Sequence, residues 1–292
     1  MNGILLIDKP SDWTSHDVIA KLRGLLKLRR IGHAGTLDPM ATGLLTVFVG
    51  RATRAVAFAE AQQKTYITRL KLGVTTDTQD TTGRVLTTSD QAVSRAELEA
   101  ILPQFLGEIS QTPPMYSAIK VDGQRLYKLA RKGVEVERAA RSVTIQRLAI
   151  LGQSADGFEL EVTCSKGTYI RTLCHDMGQA LGVGGTMAYL RRTQVGAFSI
   201  ADACTLQDVQ AAEERSQFLL GLDTLFAGHP AYTLDDRQVC GLRNGQALPL
   251  VDGNLGLVRV YSQDGQFLAL GEIVRRPEGR FLATIKSFFE PI

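Results

Sequence analysis

The segment Gly32-His33-Ala34-Gly35-Thr36-Leu37-Asp38-Pro39-Met40-Ala41-Thr42-Gly43 constrains the fold more than any other stretch, because its glycines and proline interrupt periodicity between two regular regions. Pro39 removes a backbone donor and holds the preceding Asp38 in extended geometry. Gly32, Gly35 and Gly43 permit turns or close backbone approach. Asp38 is therefore read as a carboxylate presented by a tight loop, and loops held in this way tend to carry function. An Asp-Pro pair in a loop also suits a plain turn or cap, so its neighbours must decide.

Upstream, Gly3 to Ile7 reads as a short strand, and Ser15 opens a helix with Val18, Ile19, Leu22 and Leu25 on one face. Downstream, Leu44 to Val49 is an apolar run of strand length and Tyr66 to Leu72 alternates. Ser94-Arg95-Ala96-Glu97 is a capping box before Leu98, Ile101, Leu102 and Phe105. Further strands are expected near Val143 to Leu151 and Phe158 to Cys164, and then a helix with Ile170, Cys174, Met177 and Leu181 inward. Strands and helices without regular βαβ spacing predict an α+β fold: a mixed, largely antiparallel sheet with flanking helices. Residues 111–142 read as an inserted excursion, opening at Pro113-Pro114 and closing a short basic helix at Gly133. After His229-Pro230, short strands with turns at Asp252-Gly253 and Asp264-Gly265 predict a small β-rich C-terminal module. The expected division is 1–228, carrying the 111–142 insertion, and 229–292.

The chain has 292 residues, enough for one large and one small unit, and its net charge of +3 is too mild to indicate a partner. Charge placement says more. Lys21, Arg23, Lys27, Arg29 and Arg30 occur without an acid between Val18 and Leu37, and Lys120, Arg125, Lys128, Arg131, Lys132, Arg138 and Arg141 outnumber nearby acids in the excursion. One such cluster is ordinarily a solvated face; two flanking a presented carboxylate favour a surface that tracks phosphates. Cys164, Cys174, Cys204 and Cys240 form no Cys-x-x-Cys pair, and the histidines do not join them at ligand spacing, so no disulfide and no metal is expected. Ile4 to Ile7 ends at Asp8 with no basic region before it, which reads as neither leader nor membrane span, and cytoplasmic residence is the default.

Several motifs stand in register along the chain. They are Asp8-Lys9-Pro10 with Thr14-Ser15, the Asp38 loop, Lys64-Thr65-Tyr66, Leu72-Gly73 with Thr76-Asp77-Thr78, Ser165-Lys166-Gly167-Thr168-Tyr169-Ile170-Arg171-Thr172, and Tyr189-Leu190-Arg191-Arg192-Thr193. In this order they resemble the signatures of the tRNA pseudouridine synthase B (TruB) family over most of residues 3 to 196. One departure is Asp12, where the family often has glycine.

The resemblance implies a pseudouridine synthase fold with a PUA-like RNA-binding C-terminal domain, and isomerisation of uridine 55 in the tRNA T loop. This reaction breaks the bond from N1 to C1′ and rejoins the base through C5, without redox chemistry or a cofactor. Asp38 occupies the catalytic position, and a carboxylate there can attack C1′ or take the C2′ proton. Arg171 matches the position of its cationic partner, expected as a bidentate fork. Tyr66, which alone would read as strand packing, matches the active-site tyrosine that stacks on the base. Leu190 fits an apolar wall for the same base, and Tyr169 joins the substrate contacts. His33 matches the residue that fills the gap left by the flipped nucleotide. Lys9 is read as supporting the site's charge or packing. Lys128, Arg131 and Lys132 are the expected RNA clamp.

The expected partner is tRNA through its T arm, with no membrane, no obligate protein partner and a monomeric state. A guide-dependent relative usually adds basic terminal extensions, whereas the first motif here begins near residue 8, which favours a stand-alone enzyme. A ribosomal-RNA synthase usually has a different context around its aspartate. An RNA-folding role carried by the clamp and the C-terminal module can coexist with catalysis.

Overall fold

The computed structural model describes residues 1–289 apart from Ala118, Asp122 and Arg131. The expected clamp residue Arg131 thus lies outside the described residues. Among these, no helix is long and apolar enough to cross a membrane.

Strand β1 (Gly3–Lys9) is buried almost throughout. Helix α1 (Ser15–Leu26) begins at Thr14, whose hydroxyl accepts the Asp17 N–H while the Asp17 carboxylate accepts the Thr14 N–H. This reciprocal cap satisfies two donors that a helix start leaves open. Val18, Ile19, Leu22 and Leu26 pack on Leu5, Ile7, Leu45 and Val47. Leu26 fills the inward position; Leu25, expected there, is half-buried at the cluster's margin. Strands β2 (Ile31–Ala34) and β3 (Thr42–Val49) follow. β2 falls within the stretch whose glycines interrupt periodicity, and being four residues long with a glycine it carries no strand pattern of its own; pairing with β3 holds it extended.

Next come β4 (Lys64–Leu72), α2 (Arg95–Ile101), β5 (Gly107–Gln111), α3 (Leu126–Ala130), β6 (Arg141–Ser154), β7 (Gly157–Cys164), α4 (Ile170–Ala180) and β8 (Gly185–Val195). The main sheet runs β1-β3-β8-β4-β7-β6-β5, with β2 added at β3 and Phe198–Ser199 at β8. Its pairings are antiparallel except β8 with β3, which run parallel at Arg191↔Thr42 and Arg192↔Gly43. One edge of β3 is therefore divided. β2 pairs with it from Thr46 to Val49, and β8 takes over at Thr42 and Gly43. The Asp38 loop emerges at this fork.

The alternation of β7 puts Phe158, Leu160, Val162 and Cys164 inward, where they meet Leu173, Cys174 and Met177 of α4. Leu37 and Ala41 belong to the same cluster and anchor both sides of Asp38. The C-terminal unit is a five-stranded sheet of β9 (Ala231–Leu234), β10 (Leu248–Leu250), β11 (Gly256–Ser262), β12 (Phe267–Arg276) and β13 (Gly279–Ser287), with helix α5 (Asp236–Arg243). Its core is not separate from the first unit. Leu270 and Phe288 join Ile4, Leu6 and Phe48 in one cluster, with Phe288 and Phe267 stacked at 5.4 Å between ring centroids.

Gly43 is a position where the fork demands glycine. It sits at φ +100°, and a Cβ there would lie 2.3 Å from the Arg192 carbonyl oxygen and 2.8 Å from its nitrogen. Both obstacles are backbone and cannot swing aside. We expect Gly43→Ala to cost about 3 kcal/mol or more by overpacking and strain. Gly152→Ala in β6, where a Cβ meets nothing within 4 Å, is expected to stay within about 0.5 kcal/mol of wild type. Thermal unfolding of the pair checks this; equal midpoints would show that the β3–β8 seam can open without penalty.

Candidate active site

Asp38 is held by backbone on both sides. The buried Ser15 hydroxyl accepts the Leu37 N–H at 2.9 Å and donates to the Leu37 carbonyl at 3.2 Å, tying the loop to the first turn of α1. After Asp38, a turn closes from the Ala41 N–H to the Asp38 carbonyl at 3.1 Å, and the Asp12 N–H reaches the Pro39 carbonyl at 2.9 Å. Asp12 makes that approach in the left-handed region, at φ +64°. Aspartate tolerates this conformation better than most side chains, so the turn forms here without glycine. The Lys9 ammonium, fully buried, donates to the carbonyls of Pro10, Trp13 and Pro39. Burial pushes it down to about 8, partly opposed by the Asp38 charge.

The Asp38 side chain is 37% exposed, so solvent reaches it. Arg171, at the start of α4 and 5% exposed, brings Nε to 2.9 Å from Asp38 Oδ2. The expected bidentate fork is not formed, because the terminal nitrogens are committed elsewhere. One donates to the Thr78 carbonyl at 2.9 Å and the other to the Tyr116 carbonyl at 2.8 Å. A second carboxylate, Asp80, has Oδ2 3.8 Å from Arg171 Nε. Its Oδ1 accepts from the hydroxyls of Thr78 and Thr82 and from the Thr82 N–H. A bidentate pair does occur between Arg191 and Asp8, at 3.1 and 2.7 Å, linking β8 to β1.

Tyr66 lies on β4, buried, with its phenol beside the Arg192 guanidinium; burial raises the phenol's pKa. Arg192 is also fully buried and donates to the Leu44 carbonyl at 2.7 Å and the Gly35 carbonyl at 3.0 Å, stapling both ends of the loop. Lys64 donates to the carbonyls of Glu60 and Gln62, and burial and Arg192 lower it to about 8. Leu190 is buried on β8 in the cluster that contains Tyr66 and Leu37. Tyr169 caps α4, and its backbone is gripped by Gln111, which accepts from the Tyr169 N–H and donates to its carbonyl. Burial raises the Tyr169 phenol, while Ser117 and Arg141 oppose the rise.

His33 lies in β2 and not in the loop, half-buried and edge-on to His16 of α1 at 5.6 Å between ring centroids. Burial and the charges of His16 and Arg192 lower it to about 4. Lys128 is exposed on α3 and Lys132 is exposed just after it. Sequence reasoning missed Asp80, the backbone carbonyls of Thr78 and Tyr116, and the Arg192 staple. The Thr76-Asp77-Thr78 motif stopped two residues short of Asp80; the carbonyls leave no trace in residue identity.

The site thus joins a part-exposed carboxylate, one buried guanidinium and a buried tyrosine on a largely antiparallel sheet. A family model described as "TruB family pseudouridylate synthase (N terminal domain)" matches residues 23–170. Its counterpart described as "tRNA pseudouridylate synthase B C-terminal domain" matches 171–227. A third, "Pseudouridine synthase II TruB, C-terminal", matches 230–276. A tRNA pseudouridine synthase B of Pseudomonas putida is 45% identical over 280 residues, covering 94% of this chain and 92% of the relative. One from Aromatoleum aromaticum is 44% identical over 274 residues, covering 93% and 89%. Among solved structures, a chain of a Cbf5-Nop10-Gar1 complex superposes with a TM-score of 0.75 at 26% identity, covering 99% of this chain and 85% of that one. The chain belongs to the TruB family of pseudouridine synthases, which makes it an isomerase.

Arg171→Lys keeps the charge but cannot serve two carbonyls and Asp38 together; we expect kcat to fall about 10² to 10³-fold. Asp80→Asn, which leaves the shape of the network intact, should lower kcat about 10-fold with KM unchanged. Single-turnover kinetics on RNA check both, and wild-type rates in Arg171→Lys would show that a point charge beside Asp38 suffices.

His33 gives a pH test. Its folded pKa, about 4, lies below the unfolded value of 6.5, so between these the unfolded chain binds more protons and stability falls as pH drops. Relative to His33→Gln, the wild type should lose up to about 3 kcal/mol between pH 6.5 and 4. Parallel denaturant curves at the two pH values would refute the assignment.

Proposed function

We propose that this protein converts uridine 55 in the T loop of tRNA to pseudouridine, as a stand-alone enzyme needing no cofactor. The observation that carries the reading is Asp38, part-exposed and oriented by Arg171 at 2.9 Å in a loop pinned by Ser15 and Lys9. The name carried by relatives at 45% identity supports the tRNA substrate. With the nucleotide extruded, Asp38 acts at the sugar, either on C1′ or on the C2′ proton. The bond from N1 to C1′ breaks, the uracil turns, and a bond from C5 to C1′ forms; C5 then loses its proton and N1 takes one up, so that the product is an isomer of the substrate. Tyr66 forms one side of the base pocket and Leu190 its apolar wall. Extrusion costs about a few kcal/mol of stacking, which His33 offsets by filling the gap, neutral at physiological pH.

Tyr169 borders the substrate from the start of α4. Residues 1–228 form the catalytic unit, within which 111–142 is the RNA clamp, with Lys128, Arg131 and Lys132 meeting phosphates. Residues 229–292 form the PUA-like module that extends the RNA contact. The enzyme works as a monomer in the cytoplasm, without an obligate protein partner.

The experiment is pseudouridine mapping by carbodiimide labelling of an unmodified tRNA transcript with wild type and Asp38→Asn. A single new mark in the T loop from wild type alone, with RNA binding retained in Asp38→Asn, is expected. No mark from wild type on a transcript it binds would overturn the assignment. Lys128→Ser with Lys132→Ser should weaken binding across RNA sequences and flatten the salt slope by about 1 to 2; an unchanged slope would remove the clamp from the reading.

A further inference from the structure

The exposed side of α1 is not used by any contact that holds Asp38. His16, Ala20, Arg23 and Lys27 recur at helical spacing and form one line along its length, all exposed. The line begins beside the site, since Ser15 is bonded to Leu37. It runs about 16 Å along the helix, at ~1.5 Å per residue. It follows the seam between α1 and β2: His16 meets His33 at one end, and Arg23 donates to the Ile31 carbonyl at 3.1 Å further along. At the far end the seam opens into a groove of about 690 Å³ lined by Arg23, Gly24, Lys27, Leu28 and Arg29. Residues 18 to 37 contain no acid, and the preceding Asp17 is spent on the helix cap. Gly24 leaves the floor open, with nothing within 4 Å of where a Cβ would stand.

We propose that this line and groove form a track for the phosphate backbone of the helical stem that adjoins the RNA loop in the site. The inference rests on the RNA substrate proposed above and adds a surface separate from the 111–142 clamp. The chemistry is that of phosphodiester recognition: cations at successive positions along a rigid helix, one of them held in place by a backbone carbonyl, with small residues between them that let a backbone approach. An aromatic pair at the site end suits the point where helical stem gives way to unstacked loop. Backbone contacts of this kind position the substrate without reading its sequence.

Two variants test the track on an unmodified tRNA transcript. Gly24→Glu places an anion in the groove at a position with steric room. Lys27→Ser with Arg29→Ser removes two cations and leaves Arg23 in place. Each should raise KM about tenfold near 0.1 M salt, and the double variant should flatten the dependence of log(kcat/KM) on log salt by about 1 to 2. Unchanged melting temperatures, with the loss confined to KM, are the expected result. Wild-type KM and salt slope in both variants would overturn the track while leaving the proposed reaction standing. A loss confined to kcat would overturn it as well. Failure of the wild type to modify the transcript would instead remove the reading on which the track rests.

Discussion

The Arg171 guanidinium is the interaction on which the site depends. It is nearly fully buried, and each of its nitrogens is engaged by a different segment: Asp38 of the loop, Thr78 of the turn after β4, and Tyr116 of the excursion. A buried cation without such partners would be costly to desolvate. Here the carboxylates of Asp38 and Asp80 and two carbonyls replace its water shell. The result is a fixed direction for one carboxylate oxygen, obtained without a bidentate fork and with the side chain still open to an incoming group.

That wiring connects parts far apart in the chain. The Tyr116 carbonyl belongs to the basic excursion, and Gln111 at the excursion's start grips the Tyr169 backbone immediately before α4. The excursion is thus bonded directly to the residue that orients Asp38. A cation shared among three segments makes their positions interdependent, since each partner is part of one hydrogen-bonded network.

Much of this was legible in the sequence where a single residue type had only one sensible environment. The alternation of Phe158, Leu160, Val162 and Cys164, the capping box at Ser94 and the Gly/Pro-bounded Asp38 loop each encode local geometry through side-chain chemistry. The resemblance of motifs supplied Arg171. What stayed hidden was held by backbone or by tertiary company. β2 is extended because β3 pairs with it, not because Ile31 to Ala34 prefer a strand. Arg192 reads as another surface cation beside Arg191, yet one is fully buried on carbonyls and the other forms the part-exposed pair with Asp8. Nothing in two adjacent arginines distinguishes them before the strand's facing is known.

The divided edge of β3 explains why the carboxylate can be both rigid and exposed. Where β2 leaves that edge and β8 takes it, the chain must bulge away from the sheet, and the bulge is Gly35 to Ala41. A free bulge would be mobile. This one is anchored by Leu37 and Ala41 in the core, by Arg192 at its ends, and by Ser15 and Lys9 from below. Apolar anchors one and three residues from Asp38 fix the backbone while the polar side chain between them turns outward. The same loop on a regular hairpin would have to choose between pairing its backbone and presenting its carboxylate. A change of neighbouring strand removes that conflict, because the sheet itself makes the gap through which Asp38 emerges.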